Sequence, residues 1–423
     1  MLKVSYIIEN KKQVINALSK RNFDATKIIG ELEDYNSQRK KIQSKLENIL
    51  SKSNKISKEI GELIKSGNKD QADKIKEQTA KFKETTKELN SELISIKDKI
   101  LDLLYKIPNI PNESVPVGKG EEDNVEVYNS GNLPKLDSSA LPHWDLAKKY
   151  DIIDFKLGNK ITGSGFPVYK GMGAKLQRSL ITFFLDLNTN AGYNEVQIPY
   201  LVNEDSGIGT GQLPDKDGQM YHIEKDNLYL IPTAEVPATN IFRDVILNEE
   251  DLPKSITSFS PCFRREAGSY GAHVRGLNRL HQFDKVEIIR VEHPEKSHHA
   301  LEEMVEHVKS IIDKLGLPYR ILKLCGFDLG FSSALTYDFE VYSAAQKKWL
   351  EVSSVSNCES YQSNRLKLRY RNSDGNIELA HTLNGSALAL PRIFATIIEN
   401  CQTEKGIVIP EILVPYTGFS MIN

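Results

Sequence analysis

The chain has 423 residues, of which 39% are hydrophobic and 26% charged, with a mean hydropathy of −0.40 and a net charge of −2. No run of about 18 apolar residues occurs, and the opening MLKVSYIIENKKQV lacks the apolar core of a secretory signal, so neither a membrane span nor export is expected. The four cysteines (Cys262, Cys325, Cys358, Cys401) show no C-x-x-C or Cys/His ligand spacing, so no zinc is expected and reduced thiols in a cytoplasmic protein are.

The first 22 residues predict a short helical segment with Val14, Ile15 and Leu18 on one side. A heptad pattern follows. Leu32, Tyr35, Arg39, Ile42, Leu46, Ile49, Ser53, Ile56, Ile60 and Leu63 keep a 3-4 spacing, with Arg39 and Ser53 as interruptions. Gly67-Asn68 breaks it, and it resumes with Ala72, Ile75, Thr79, Phe82, Thr86, Leu89, Leu93, Ile96, Ile100 and Leu103. Two matched runs around a short turn predict an antiparallel helical hairpin over about 24–104. At 1.5 Å per residue its arms would be ~55 Å long, and it should project from the body. Ser53, Thr79 and Thr86 weaken the seam, so rigidity should fall toward the tip. From Lys40 to Lys87 there are thirteen Lys or Arg against seven Asp or Glu, a local charge of +6. A basic segment on an otherwise acidic chain points to a polyanionic partner.

Residues 107–124, IPNIPNESVPVGKGEEDN, read as a linker between an N-terminal domain (1–106) and a body (125–423). In the body, helices are predicted at 174–188, 294–316 and 390–402. Strands are predicted at 228–232, 256–266, 279–291, 337–342 and 349–354. Strands lie in runs, which favours an α+β fold with a largely antiparallel sheet over a doubly wound one. No P-loop and no G-x-G-x-x-G opening a helix is present.

The most informative stretch is FRREAGSYGAHVRGLNRLHQFDKVE (263–287). Two strand segments flank a Gly-rich polar loop. Alternation puts Arg279, Phe283 and Glu287 on one face of the second strand, and Arg264 and Glu266 on one face of the first. Arg binds phosphate, Phe stacks on a base, and Glu accepts from an amino group. The set suits an anionic, aromatic, amine-bearing ligand such as an aminoacyl adenylate. Upstream, GTGQLP (209–214) precedes LIPTAEVPATN (230–240). Thr233 and Glu235, two apart, would share a strand face, where a hydroxyl and a carboxylate receive an α-ammonium group.

The 263–287 stretch resembles motif 2 of class II aminoacyl-tRNA synthetases, in the form typical of seryl-tRNA synthetases. Four further stretches match that family in order. GFPVYKGMGAKLQRSLITFFLDL with GYNEVQIPYLV, including Pro199, is similar to motif 1, which implies a homodimer. The Thr-Ala-Glu element implies a serine pocket. WLEVSSVSNCESYQSNR (349–365) resembles the segment in which Glu351 and Ser354 would bind Mg²⁺, an ion suited by oxygen ligands and ATP phosphates. HTLNGSALALPRIFATIIEN (381–400) resembles motif 3.

The resemblance implies a class II antiparallel sheet flanked by helices, behind the long hairpin. It implies activation of L-serine with ATP and Mg²⁺ and transfer to serine tRNA, and possibly to selenocysteine tRNA. Arg264 would contact the α-phosphate and Arg392 the γ-phosphate, with Arg279 also on ATP. Glu266 would accept from the adenine amino group, and Phe283 would stack on the ring. Thr233, Glu235, Glu287, Asn384 and Ser386 would face the serine. Ala267–Asn278, with Gly268, Gly271 and Gly276, would be a loop meeting the tRNA acceptor end, and the hairpin would grip the long variable arm. His381 is expected to be structural. Asn364 stands where the family more often has Arg. The alternatives are a non-catalytic paralogue acting as an RNA-binding or scaffold module, and a class II enzyme for another small amino acid. The first should have lost Arg264, Glu287, Glu351 or Arg392, and all four are present. The second should carry an anticodon-binding domain and lack the hairpin.

Overall fold

The structure is a computed structural model that describes residues 1–215, 218–266 and 275–423. The chain forms two compact units. One comprises Leu2–Ser19 and Phe23–Pro108; the other comprises Met1, Lys20–Asn22 and Asn109–Asn423. Among the described residues no helix is long and apolar enough to cross a membrane.

The first unit opens with two short helices, Val4–Glu9 and Lys11–Ser19, which bury Ile7, Val14 and Leu18. The heptads become two long helices, Thr26–Lys65 and Lys69–Leu104. Gly67 ends the first helix with φ +85°, a left-handed conformation that glycine adopts without a Cβ penalty. Burial along the seam is graded. Leu32, Ile42 and Leu46 on one arm, and Leu93, Ile96 and Ile100 on the other, are buried. Between them Ile49, Ile56, Ile60, Leu63, Ile75, Phe82 and Leu89 are only partly buried. The apolar repeat therefore persists to the turn, while the area it removes from water shrinks.

The second unit is built on an eight-stranded sheet. In spatial order its strands are Val125–Asn129, Tyr319–Lys323, Leu335–Ser343, Lys348–Glu359, His381–Ala389, Gln282–Glu292, Lys254–Phe263 and Asn194–Glu195. All neighbours run antiparallel except the last pair. Alternation along the strands divides the sheet. Val286, Ile288, Phe339, Val341, Val355 and Leu383 enter the main core. There they meet Leu176, Leu180 and Phe184 of helix Gly171–Asn190, Met304 and Ile311 of helix Ser297–Leu315, and Ile393 and Phe394 of helix Leu390–Asn400. The intervening residues of the same strands are polar and line a cavity.

Of the 107–124 stretch read from composition as a linker, residues 109–124 are tied into the second unit. The Asn109 N–H donates to Phe331 O at 2.9 Å, and its side chain donates to Ser332 O and Cys358 O, each at 2.9 Å. Asn124 Oδ1 accepts from the Cys325 N–H at 2.9 Å. The Pro- and Asn-rich composition that suggests a free connection serves here to fit an extended chain whose polar groups find partners on the sheet.

Candidate active site

All twelve candidate site residues line one cavity of about 950 Å³ on the polar face of the sheet. Two buried carboxylates, Glu235 and Glu287, line it. Glu287, 2% exposed, comes from the Gln282–Glu292 strand, where it pairs with Ser386 across the ladder. Its Oε2 accepts from Thr233 Oγ1 at 3.2 Å and lies 2.5 Å from Lys285 Nζ. Glu235 Oε1 accepts from Gln362 Nε2 at 2.6 Å and from Asn384 Nδ2 at 3.1 Å. Burial, reinforced by the Glu287 charge, raises the Glu235 pKa to about 7. Together these carboxylates can take a cation and hydrogen-bond donors.

Thr233 and Glu235 do not share a strand face. The strand ends at Leu230, and a helix begins at Glu235 and runs to Asn240. Thr233 Oγ1 accepts the Glu235 N–H at 3.2 Å, a local bond that competes with strand pairing and starts the helix. Both side chains still reach the cavity.

Arg264 and Phe283 also line the cavity. The Arg264 guanidinium lies 5.2 Å from the Phe283 ring centroid, and its Nε donates to Pro232 O at 3.3 Å. Arg264 lies just past the end of its strand at Phe263, but its N–H still donates to His281 O at 2.9 Å. Glu266 leaves the ladder with φ +48° and forms an ion pair with Arg279. Arg279 precedes the second strand, which starts at Gln282, because residues 275–278 form a turn. The predicted row of Arg279, Phe283 and Glu287 on one strand is therefore shortened to Phe283 and Glu287. Residues 267–274, most of the predicted loop, lie outside the described residues.

Arg392 sits near the start of helix Leu390–Asn400, where Pro391 occupies the first turn. Its Nε donates to Asn278 O at 3.0 Å. Its Nη1 donates to Glu351 O at 2.7 Å and lies 3.5 Å from Glu351 Oε2. Ser354 pairs across the ladder with Asp338, whose pKa is raised well above the usual carboxylate range by burial and by the Glu351 charge. Asp338 Oδ1 is buried without a hydrogen-bond partner. Among the described residues no group of three or more His, Cys, Asp or Glu side chains could hold a metal ion by itself. Glu351 and Ser354, beside that unpartnered oxygen, form an oxygen-only set. It fits a hard cation that takes most of its ligands from water and phosphate.

Sequence reading missed Lys285, Gln362 and Asp338. Lys285 stands two residues before Glu287, so strand alternation carried a signal for it. Gln362 and Asp338 reach the site only through packing of distant segments. His381 is not among the cavity residues; its Nδ1 lies 2.7 Å from Ser297 Oγ, and burial lowers its pKa to about 4. Asn364 donates to Met1 O at 2.6 Å.

Known proteins resemble this chain in sequence and in fold. The family model for the seryl-tRNA synthetase N-terminal domain matches residues 1–111. The model for the class II synthetase core domain (G, H, P, S and T) matches residues 220–401. The chain is 50% identical over 356 residues to a serine–tRNA ligase of Salinibacter ruber, covering 84% of this chain and 83% of that protein. It is 48% identical over 341 residues to one of Halothermothrix orenii, covering 80% and 81%. A crystal structure of seryl-tRNA synthetase from Pyrococcus horikoshii complexed with ATP superposes with a TM-score of 0.92 at 33% identity, covering 100% of this chain and 99% of that one. The chain belongs to the seryl-tRNA synthetase family.

Proposed function

We infer that the cavity activates L-serine with ATP and that the seryl group then passes to the 3′ end of serine tRNA. The observation that carries this reading is a pocket with two carboxylates, a Phe–Arg pair and a further Arg set side by side along one sheet. Thr233, Glu235, Glu287, Asn384 and Ser386 receive the serine ammonium and hydroxyl. Phe283 stacks on the adenine, Glu266 accepts from its amino group, and Arg279 approaches the nucleotide beside Glu266. Arg264 holds the α-phosphate and Arg392 the γ-phosphate.

The serine carboxylate oxygen attacks the α-phosphorus, the bond to the β-phosphate oxygen breaks, and pyrophosphate leaves with the electron pair. A terminal ribose hydroxyl of tRNA then attacks the carbonyl carbon, its proton passes to an adenylate phosphate oxygen, and the bond from the carbonyl carbon to the phosphate oxygen breaks, so that AMP leaves. The first step builds negative charge on the phosphate oxygens, and the second on the carbonyl oxygen and the departing phosphate, so positioned cations do most of the work and no protein base is required. Mg²⁺, held by Glu351 and Ser354, would neutralise charge on the ATP phosphates.

The first unit, with its +6 segment between Lys40 and Lys87, takes the long variable arm of the tRNA through backbone charge. A cytoplasmic homodimer joined through the Gly165–Val202 region belongs to the same reading, supported by family membership and the motif 1 resemblance. The scaffold alternative has no observation in its favour, since Arg264, Glu287, Glu351 and Arg392 all line the cavity. Pyrophosphate exchange with each amino acid in turn tests the reading. Exchange should depend on serine, and equal exchange with threonine or proline would refute it.

A further inference from the structure

His143 and Glu399 form a pair with no role in the steps above. Both are fully buried. His143 Nδ1 lies 2.6 Å from Glu399 Oε1. That oxygen also accepts the His143 N–H at 2.8 Å and Gln346 Nε2 at 2.8 Å, and Oε2 accepts the Ser343 hydroxyl. Four donors thus satisfy one carboxylate removed from water. On the far side of the ring, His143 Nε2 accepts the Leu277 N–H at 2.8 Å. An acceptor at Nε2 puts the ring proton on Nδ1, facing Glu399.

The next residue connects this pair to the cavity. Asn278 Nδ2 donates to Gln346 Oε1 at 3.0 Å, and Asn278 O accepts from Arg392 Nε at 3.0 Å. Arg392 and Glu399 lie seven residues apart on helix Leu390–Asn400, so they share a face. The contacts close a ring: helix, Glu399, His143, Leu277, Asn278, Arg392 and back to the helix. The chain passes hard against the imidazole. Gly276 has φ +69°, and a Cβ there would lie 2.2 Å from His143 Nε2. Arg275 is held in turn, 4.6 Å over the Trp144 ring.

We propose that His143 is a positioning residue for ATP: by holding Leu277 and Asn278 it fixes the guanidinium of Arg392. This rests on the assignment of Arg392 to an ATP phosphate. A histidine that merely fills space would affect melting without singling out one substrate.

The test compares full-length wild type, His143→Phe, His143→Gln, Arg392→Ala and the Phe/Ala double variant. ATP affinity is read by calorimetry, and serine use by pyrophosphate exchange. Phe keeps ring volume but neither donates nor accepts. His143→Phe should weaken ATP binding about 10- to 100-fold, the usual cost of a misplaced group, and leave the serine KM within about twofold. His143→Gln, whose amide both donates and accepts, should recover most of the loss. In the double variant, ATP should bind no more weakly than in Arg392→Ala alone. Additive losses, or equal losses for ATP and serine, would overturn the proposal. If His143→Phe does not fold, Gln346→Leu frees the Asn278 amide instead, with the same non-additivity expected. Arg392→Ala binding ATP as tightly as wild type would refute the Arg392 assignment. Additive variants of an otherwise active enzyme would refute only the role of His143.

Discussion

Arg392 is joined to Glu351 at two points: its Nη1 donates to the Glu351 carbonyl at 2.7 Å and stands 3.5 Å from the carboxylate. A helix start thereby delivers a cation beside the residue proposed to hold Mg²⁺. ATP phosphates need both charges.

Arg392→Ala should therefore nearly abolish adenylate formation and leave the fold intact. A lost charge-assisted contact to a leaving phosphate costs about 2–4 kcal/mol, or about 30- to 1000-fold in rate. Pyrophosphate exchange within about twofold of wild type would remove Arg392 from the phosphate.

Glu287→Gln should raise the serine KM far more than the ATP KM. The Glu287 carboxylate lies between Thr233 and Lys285. A hydrogen bond to a charged group contributes about 1.5–3 kcal/mol, so a rise of about 10- to 100-fold is expected. An unchanged serine KM with a raised ATP KM would move Glu287 to the nucleotide.

Serine binding should also depend on pH through Glu235. Its pKa, raised to about 7, leaves it largely protonated in mild acid, where it attracts an ammonium group poorly. The serine KM should fall as pH rises through about 7, and Glu235→Gln should flatten that profile. Folding stability moves the other way. The raised pKa means the folded state holds this proton more tightly, so the contribution is complete below the ordinary value of 4.5 and is lost as pH rises through about 7. A serine KM independent of pH in the wild type would contradict the assignment.

Local patterns made much of this fold legible. The heptads from Leu32 to Leu103 depend on spacing alone, and the structure buries Leu32, Ile42, Leu46, Leu93, Ile96, Ile100 and Leu103 of that pattern, together with Asn36, which the pattern does not include. Phe283 and Glu287 were readable because strand alternation is local. Thr233 and Glu235 were misplaced onto a strand because a hydroxyl-to-amide bond two residues long outweighed strand propensity. Gln362 touches Glu235 across 127 positions, and His143 meets Glu399 across 256. No periodicity in a single sequence reports such pairs, since they arise only when the sheet and its helices close.

Graded burial along the hairpin should give graded stability. Amide exchange should be slowest near Leu32 and Ile100, and should quicken steadily toward Gly67. Leu32→Ala, at a fully buried position, should cost about 2–5 kcal/mol, and Ile60→Ala, at a partly buried one, much less. Uniform protection along both arms would contradict the gradient.

Replacing residues 25–104 with a short Gly/Ser linker tests the central claim, that one unit carries the chemistry and the other the RNA. Every candidate site residue lies between Thr233 and Arg392. The deleted segment carries the basic surplus. Serine-dependent pyrophosphate exchange should persist. Charging of serine tRNA should fall by about two orders of magnitude or more as phosphate contacts are lost, and its salt dependence should flatten. A truncated enzyme that charges serine tRNA at normal KM, or one that loses pyrophosphate exchange, would contradict this division of labour.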